Sequence, residues 1–176
     1  GCGPGRHVLE LASRGITTHG IDISRTFVDI ARSNAVVNAT FERMDARHMT
    51  FDAEFDAVIC LCQGAFGLMT ANGNDLDVLR GIRRALKPGG RLALSAFSSY
   101  FAVKYHGAAS FDADSGVSHE VTEVKDESGR ATEVDLWTGC YTPRELRMLM
   151  DKVDMTVRSE EHTSELQSHL NIVCRL

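Results

Sequence analysis

Two alternating rhythms of apolar positions run along this chain. Between Arg6 and Arg14, Val8, Leu11 and Ala12 stand at i, i+3, i+4, the spacing of a short amphipathic helix. Ile16 to Ile23 is a β-rich run with an acid, Asp22, at its end. Ser24 then offers an N-cap for a second helix, with Phe27, Ile30, Ala31 and Asn34 on one face. Val37 to Met44 reads as an extended element leading into Asp45-Ala46. Phe55 to Cys62 (FDAVICLC) is almost continuously apolar, which predicts a strand buried on both faces of a parallel sheet. A loop from Gln63 to Gly73 precedes a helix over Asp75 to Leu86, with Leu76, Leu79, Ile82 and Leu86 inward. Lys87-Pro88-Gly89-Gly90 is a helix stop, and Arg91 to Ala96 is a further short apolar strand.

Strands alternating with helices of this length predict an α/β fold: a Rossmann-like, doubly wound, mostly parallel sheet. The rhythm then changes. Val117 to Lys125 and Ala131 to Trp137 read as strands joined by Asp126-Glu127-Ser128-Gly129, an antiparallel hairpin inserted into that fold. Thr142-Pro143-Arg144-Glu145 opens the last helix, with Thr142 as N-cap, Pro143 at N1 and Glu145 completing a capping box. Leu146, Leu149, Met150 and Val153 form its apolar stripe.

At 176 residues and 43% hydrophobic residues, the chain holds one sizeable core. A net charge of −5 argues against nucleic acid or an anionic membrane as partner. No apolar run approaches the roughly 20 residues of a membrane span. The cysteines (Cys2, Cys60, Cys62, Cys140, Cys174) are odd in number and scattered, with no C-x-x-C and no zinc spacing. They fit a reduced, cytoplasmic protein without a metal site. Arg158 to Leu176 lacks a sustained period, and RSEEHTSELQS resembles the translation of a sequencing-library adapter. The expected division is therefore a domain over residues 1–157 and a non-native tail over 158–176.

Candidate chemistry concentrates at three predicted turns. Gly1-Cys2-Gly3-Pro4-Gly5 lets backbone run close to a ligand and feeds a helix N-terminus, where exposed N–H groups can receive a nucleotide-like molecule. Asp22, at a strand end, can accept hydrogen bonds from both hydroxyls of a ribose. Asp45 can receive an amino group from an adenine edge. No strand stands before Gly1, so the chain is read as truncated at its N-terminus, with the first strand of the fold missing.

These residues resemble the class I S-adenosylmethionine-dependent methyltransferases of the small-molecule type. GCGPGRH looks like the first motif of that superfamily, GIDIS like its second and MDA like its third. FDAVICLCQGAFGL and LKPGGRLALS look like its fourth and fifth strands. The resemblance covers Gly1 to Val157. It implies S-adenosylmethionine as methyl donor, with Gly1, Cys2, Gly3 and Gly5 beneath its methionine and ribose and Asp22 on the ribose hydroxyls. Ile23 would pack on the adenine, Asp45 and Ala46 would receive the adenine amino group, and Cys62 and Gln63 would flank the sulfonium. Cys62 is preceded by Leu61, not by the proline of nucleophilic cytosine-methylating enzymes, so its thiol is read as buried or ligand-contacting.

A methyl acceptor that is a deprotonated amine needs alignment and exclusion of water, whereas a hydroxyl or carbon acid needs a base. The candidates are His106, His119 and Tyr105. Two other readings remain. An NAD(P)-binding oxidoreductase would want glycine or alanine where Arg6 stands. A non-catalytic domain could keep the fold as a binding module. The acceptor is expected to be a small molecule, and nothing in the sequence identifies it.

Overall fold

The predicted helices form where a neighbour can cover their apolar stripes. The computed structural model describes residues 1–62, 64–69, 75–105, 110–125, 129–161 and 169–176. In chain order the elements are α1 (Arg6–Ser13), β1 (Thr18–Asp22), α2 (Arg25–Ser33), β2 (Ala39–Arg43), β3 (Phe55–Cys60), β4 (Leu68–Met69), α3 (Asp75–Ala85), β5 (Leu86–Ser98) and α4 (Ser99–Tyr105). There follow β6 (Ser110–Asp112), β7 (Val117–Lys125), β8 (Ala131–Tyr141), α5 (Pro143–Lys152), β9 (Thr156–Glu161) and β10 (His169–Arg175).

The helix caps fall where the sequence puts them. The Ser24 hydroxyl accepts the Phe27 N–H at 3.3 Å, and Thr142 and Glu145 complete a capping box around Pro143. The buried stripe of α2 differs from the expected one: Val28 and Ala31 are buried, while Phe27 and Ile30 are 45% and 42% exposed. Phe41 and the turn at Gly5 lie against Ala31, and they select that face over the bulkier one.

β1 and β2 pair in parallel as a two-stranded sheet with α1 and α2 against it. β5 is the axis of the larger sheet. One of its edges carries β3, in parallel, from Ala57 beside Arg91 to Cys60 beside Leu94. Past that point the end of β8 takes over, again in parallel, with Cys140 beside Phe97 and Tyr141 beside Ser98. The other edge carries β10, antiparallel, with β9 outside it. The parallel pairings β1–β2 and β3–β5 join the alternating half of the chain, as its rhythm predicts; β8 from the hairpin adds a third, and the antiparallel pairings involve the hairpin or the final strands.

Three features depart from the sequence reading. β3 is not buried on both faces: Asp56, Ala57 and Ile59 are exposed, Ile59 by 43%. The strand pairs with β5 alone among the described residues. Its neighbours on the other side are side chains, with His19 of β1 stacked on Phe55 at 6.2 Å and edge-on to Phe51 at 5.5 Å. Second, β5 begins at Leu86, directly after α3. The Lys87–Gly90 stretch is absorbed as an irregular strand start with Gly89 at φ 79°. Third, residues 169–175, which the sequence reading sets apart, form a full ladder with β5. Ile172 and Cys174 from this stretch are buried beside Leu92, Leu94, Leu146 and Met150.

Candidate functional site

The glycine turn and the strand-end acid form one hydrogen-bonded unit. Cys2 N–H donates to the Ile21 carbonyl at 2.8 Å, which lays the turn along the end of β1. The Gly3 N–H donates to Asp22 Oδ2 at 2.8 Å, and the Ser24 N–H donates to Oδ1 at 2.9 Å. Asp22 is 8% exposed, and each of its oxygens keeps one backbone partner. That carboxylate therefore ties the turn before α1 to the turn before α2.

Gly5 caps α1 from the left-handed region, at φ 88°, and a Cβ there would lie 2.8 Å from the Phe41 ring. Both constraints call for glycine. Around Gly3 nothing stands where a Cβ would point, so this part of the turn faces open space. Gly1 is different. Its backbone and that of Gly64 approach so closely that a Cβ on either would strike the other. The loop after β3 is thereby brought onto the start of the glycine turn, and Gly1 itself does not lie open.

That loop carries Cys62, exposed and left-handed at φ 55°, with its N–H donating to the Ser95 hydroxyl at 2.7 Å. Ser95 is 5% exposed. Sequence reasoning missed it, although it is the one polar residue in the run LALSAF. Gln63 lies outside the described residues.

Ile23 is 58% exposed beside Asp22, open to a flat ligand. Asp45 sits one strand over, tied in by the Met44 N–H donating to the Asp22 carbonyl at 2.9 Å. Its carboxylate is already engaged. It caps a short 3-10 turn over Ala46–His48 through the Arg47 N–H, and the Arg47 guanidinium reaches Oδ2 at 2.6 Å. The hydrogen bond from Arg47 holds the Asp45 carboxyl well below the usual carboxylate range, at about 2. Ala46 follows in this turn, partly buried against the large core. The Cys2 thiol, half-buried between these elements, is pushed up by burial.

Of the candidate bases, His106 lies outside the described residues. Tyr105 is half exposed on α4, its ring tilted against Phe101 at 4.8 Å. His119 stacks on Trp137 with centroids 3.8 Å apart and a 14° interplanar angle, and its Nε2 lies 2.7 Å from Asp135 Oδ1. Neither Asp135 nor Trp137 is among the candidates the sequence offers. A cavity of about 710 Å³ opens elsewhere, among Arg83, Leu86, Pro88 and Lys152, and no expected site residue lines it. Asp22 stands at the carboxyl end of β1, and Cys62 lies just past the end of β3.

Comparison with known proteins bears on this geometry. The family profile described as "Methyltransferase domain" matches residues 1–90. The chain is 30% identical over 122 residues to YqeM of Bacillus subtilis (strain 168), named as a methyltransferase, covering 67% of this chain and 49% of that protein. It is 35% identical over 92 residues to the cypemycin N-terminal methyltransferase of a Streptomyces species, covering 51% of this chain and 37% of that protein. The chain thus spans about half, or less, of the length of these relatives. Among solved structures, the CcbJ methyltransferase from Streptomyces caelestis superposes with a TM-score of 0.81 at 17% identity, over 99% of this chain and 86% of that one.

Proposed function

The chain belongs to the methyltransferase domain family, and from that premise we propose that it binds S-adenosylmethionine and transfers a methyl group to a small-molecule acceptor. The observation that carries this reading is the Gly3–Asp22–Ser24 link. It fixes a buried carboxylate beside an open glycine turn, which suits a ligand with a ribose diol joined to a charged amino-acid moiety. The residues present fit such a donor. Gly3 and Gly5, with Cys2 between α1 and β1, would underlie its methionine and ribose. Asp22 would accept from the ribose hydroxyls, and Ile23 would cover one face of the adenine.

Asp45 and Ala46 would meet the adenine edge. For that, Arg47, whose side chain is 38% exposed, must yield part of the Asp45 carboxylate. Gly1, Cys62 and Gln63 would border the sulfonium end, with Ser95 holding the Cys62 backbone in place. When bound, the donor supplies an electrophilic methyl group on a good leaving group. The protein's tasks are then alignment and water exclusion.

The cysteines and the charge are the grounds on which we read the chain as cytoplasmic and as acting on neither nucleic acid nor an anionic membrane. Cys2, Cys60, Cys62 and Cys140 are free thiols, and the net charge is negative; no described helix is long and apolar enough to cross a membrane. Two rival readings carry less support. An oxidoreductase would place its third glycine at Arg6, and a non-catalytic module needs no buried acid at the turn.

Calorimetric titration with S-adenosylhomocysteine and with NADH tests the proposal. Binding of the first alone, followed by methyl transfer from labelled donor to some acceptor, is the expected result. Binding of NADH alone would overturn it, and binding of neither would favour the module.

A further inference from the structure

The hairpin of β7 and β8 carries a cluster that donor binding does not use. In its register His119 stands opposite Trp137, and Val121 stands opposite Asp135. Asp135 and Trp137 are two residues apart on one strand, so they share a face with the His119 ring. Trp137 covers one side of the imidazole at 3.8 Å, and Asp135 takes its edge at 2.7 Å. A carboxylate only accepts, so the bonded Nε2 carries the proton and Nδ1 keeps its lone pair. The ring is thereby held in one orientation and one tautomer. Its side chain is 26% exposed, which leaves it reachable.

Its place in the fold gives this pair a use. β8 follows β3 along the same edge of β5, so the base of the hairpin stands at the carboxyl end of β3. Trp137 also pairs with Met69 of β4, which lies in the same stretch of chain after β3 as Cys62. The His119–Asp135 pair thus sits on the neighbour of the segment that would border the reacting methyl. An amine acceptor in its free-base form has no need of such a group. An acceptor that must shed a proton does.

We propose that His119 is the general base for a hydroxyl acceptor of the phenol or enol type, with Asp135 as its positioning residue. The inference rests on the methyl-donor reading. In the step, the acceptor oxygen forms its bond to the methyl carbon as the carbon–sulfur bond breaks. The electron pair of that bond stays on sulfur, which becomes a neutral thioether. The hydroxyl proton passes to Nδ1 of His119 and from there to solvent.

The test uses the protein with labelled S-adenosylmethionine and two probe sets. Catechol and 4-hydroxybenzoate represent hydroxyl acceptors, and benzylamine and N-methylbenzylamine represent amines. A binding readout runs beside transfer. Trp137 is the chain's one tryptophan, so its emission reports a ring entering beside His119 in the presence of S-adenosylhomocysteine. We expect emission changes and methyl transfer with the hydroxyl set. His119→Gln should lower kcat about 100-fold with S-adenosylhomocysteine affinity unchanged, a size typical of losing a general base. Asp135→Asn should lower kcat about 10-fold at unchanged KM, and Asp135→Glu should restore part of it. Transfer to amines alone, transfer to neither set, or a His119→Gln variant within threefold of the parent overturns the proposal. Failure of S-adenosylhomocysteine to bind the parent protein would instead strike the donor reading beneath it.

Discussion

Replacing Asp22 tests the site and the fold at once, and two variants separate the effects. Asp22→Ala strips both the Gly3 and the Ser24 N–H of their acceptor. A hydrogen bond to a charged group contributes about 1.5–3 kcal/mol. Both donors are only half-buried, so water can replace part of the loss, and about 2–3 kcal/mol in total is expected. For a domain of this size that lowers Tm by about 5–10 °C. The donor would lose two hydroxyl contacts as well, about 3 kcal/mol or a 100-fold weaker Kd. Asp22→Asn keeps the shape and one acceptor oxygen while turning an amide toward the other N–H. It should melt within a few degrees of the parent and still bind S-adenosylhomocysteine about 10-fold more weakly. Differential scanning fluorimetry and isothermal titration calorimetry read the two quantities separately. An Asp22→Asn protein that holds S-adenosylhomocysteine within threefold of the parent would refute the carboxylate's role. An unshifted melt of Asp22→Ala would refute its structural one.

Three further outcomes follow from the same geometry. Gly5→Ala meets both a left-handed backbone and the Phe41 ring, so it should cost about 2–4 kcal/mol in a urea melt; a loss below about 0.5 kcal/mol would contradict the packing. The Asp45 carboxyl, depressed to about 2, contributes stability that is present above its unfolded value near 3.8 and is lost as pH falls through 2. The Arg47 pair is exposed, so this amounts to no more than about 1 kcal/mol. Arg47→Ala should return the carboxyl toward the usual carboxylate range in a 13C NMR titration and leave S-adenosylhomocysteine binding equal or tighter; weaker binding would mean that Arg47 itself contacts the donor. Ile172→Ala should destabilise the chain by about 2–5 kcal/mol in equilibrium unfolding. No measurable change would show that residues 169–175 do not dock on β5 in solution.

Much of the alternating half of the fold can be read from residue spacing, because its helices carry apolar stripes and α2 has a cap of its own. Ser24, Thr142 and Glu145 mark helix starts through local hydrogen bonds, and the structure uses all three. The hairpin is legible for the same reason: two β-rich runs meet across a turn, and Val117–Lys125 pairs as read. What escaped the sequence depends on partners far along the chain. Nothing within FDAVICLC says that β3 pairs on one edge only among the described residues. The burial of Ile172 and Cys174 depends on β5, some distance upstream. Asp22 was legible as a strand-end acid, but its bonds to Gly3 and Ser24 were not. In the sequence Asp45 looks open to a ligand, and only the folded turn shows Arg47 upon it. In the sequence His119 is one candidate base among others, and only the cross-strand register reveals its carboxylate and its aromatic neighbour.

The position of β10 also sets an order of events during synthesis. β5 is complete at Ser98, yet its antiparallel partner begins only at His169, roughly 70 residues and, at ribosomal speeds, about 4–14 s later. Through that interval Leu92 and Leu94 sit on a strand with one open side. A ribosome that paused within the hairpin would hold out a sticky ribbon to its neighbours. The nascent chain therefore has most need of a chaperone after β5 has emerged and before β10 arrives.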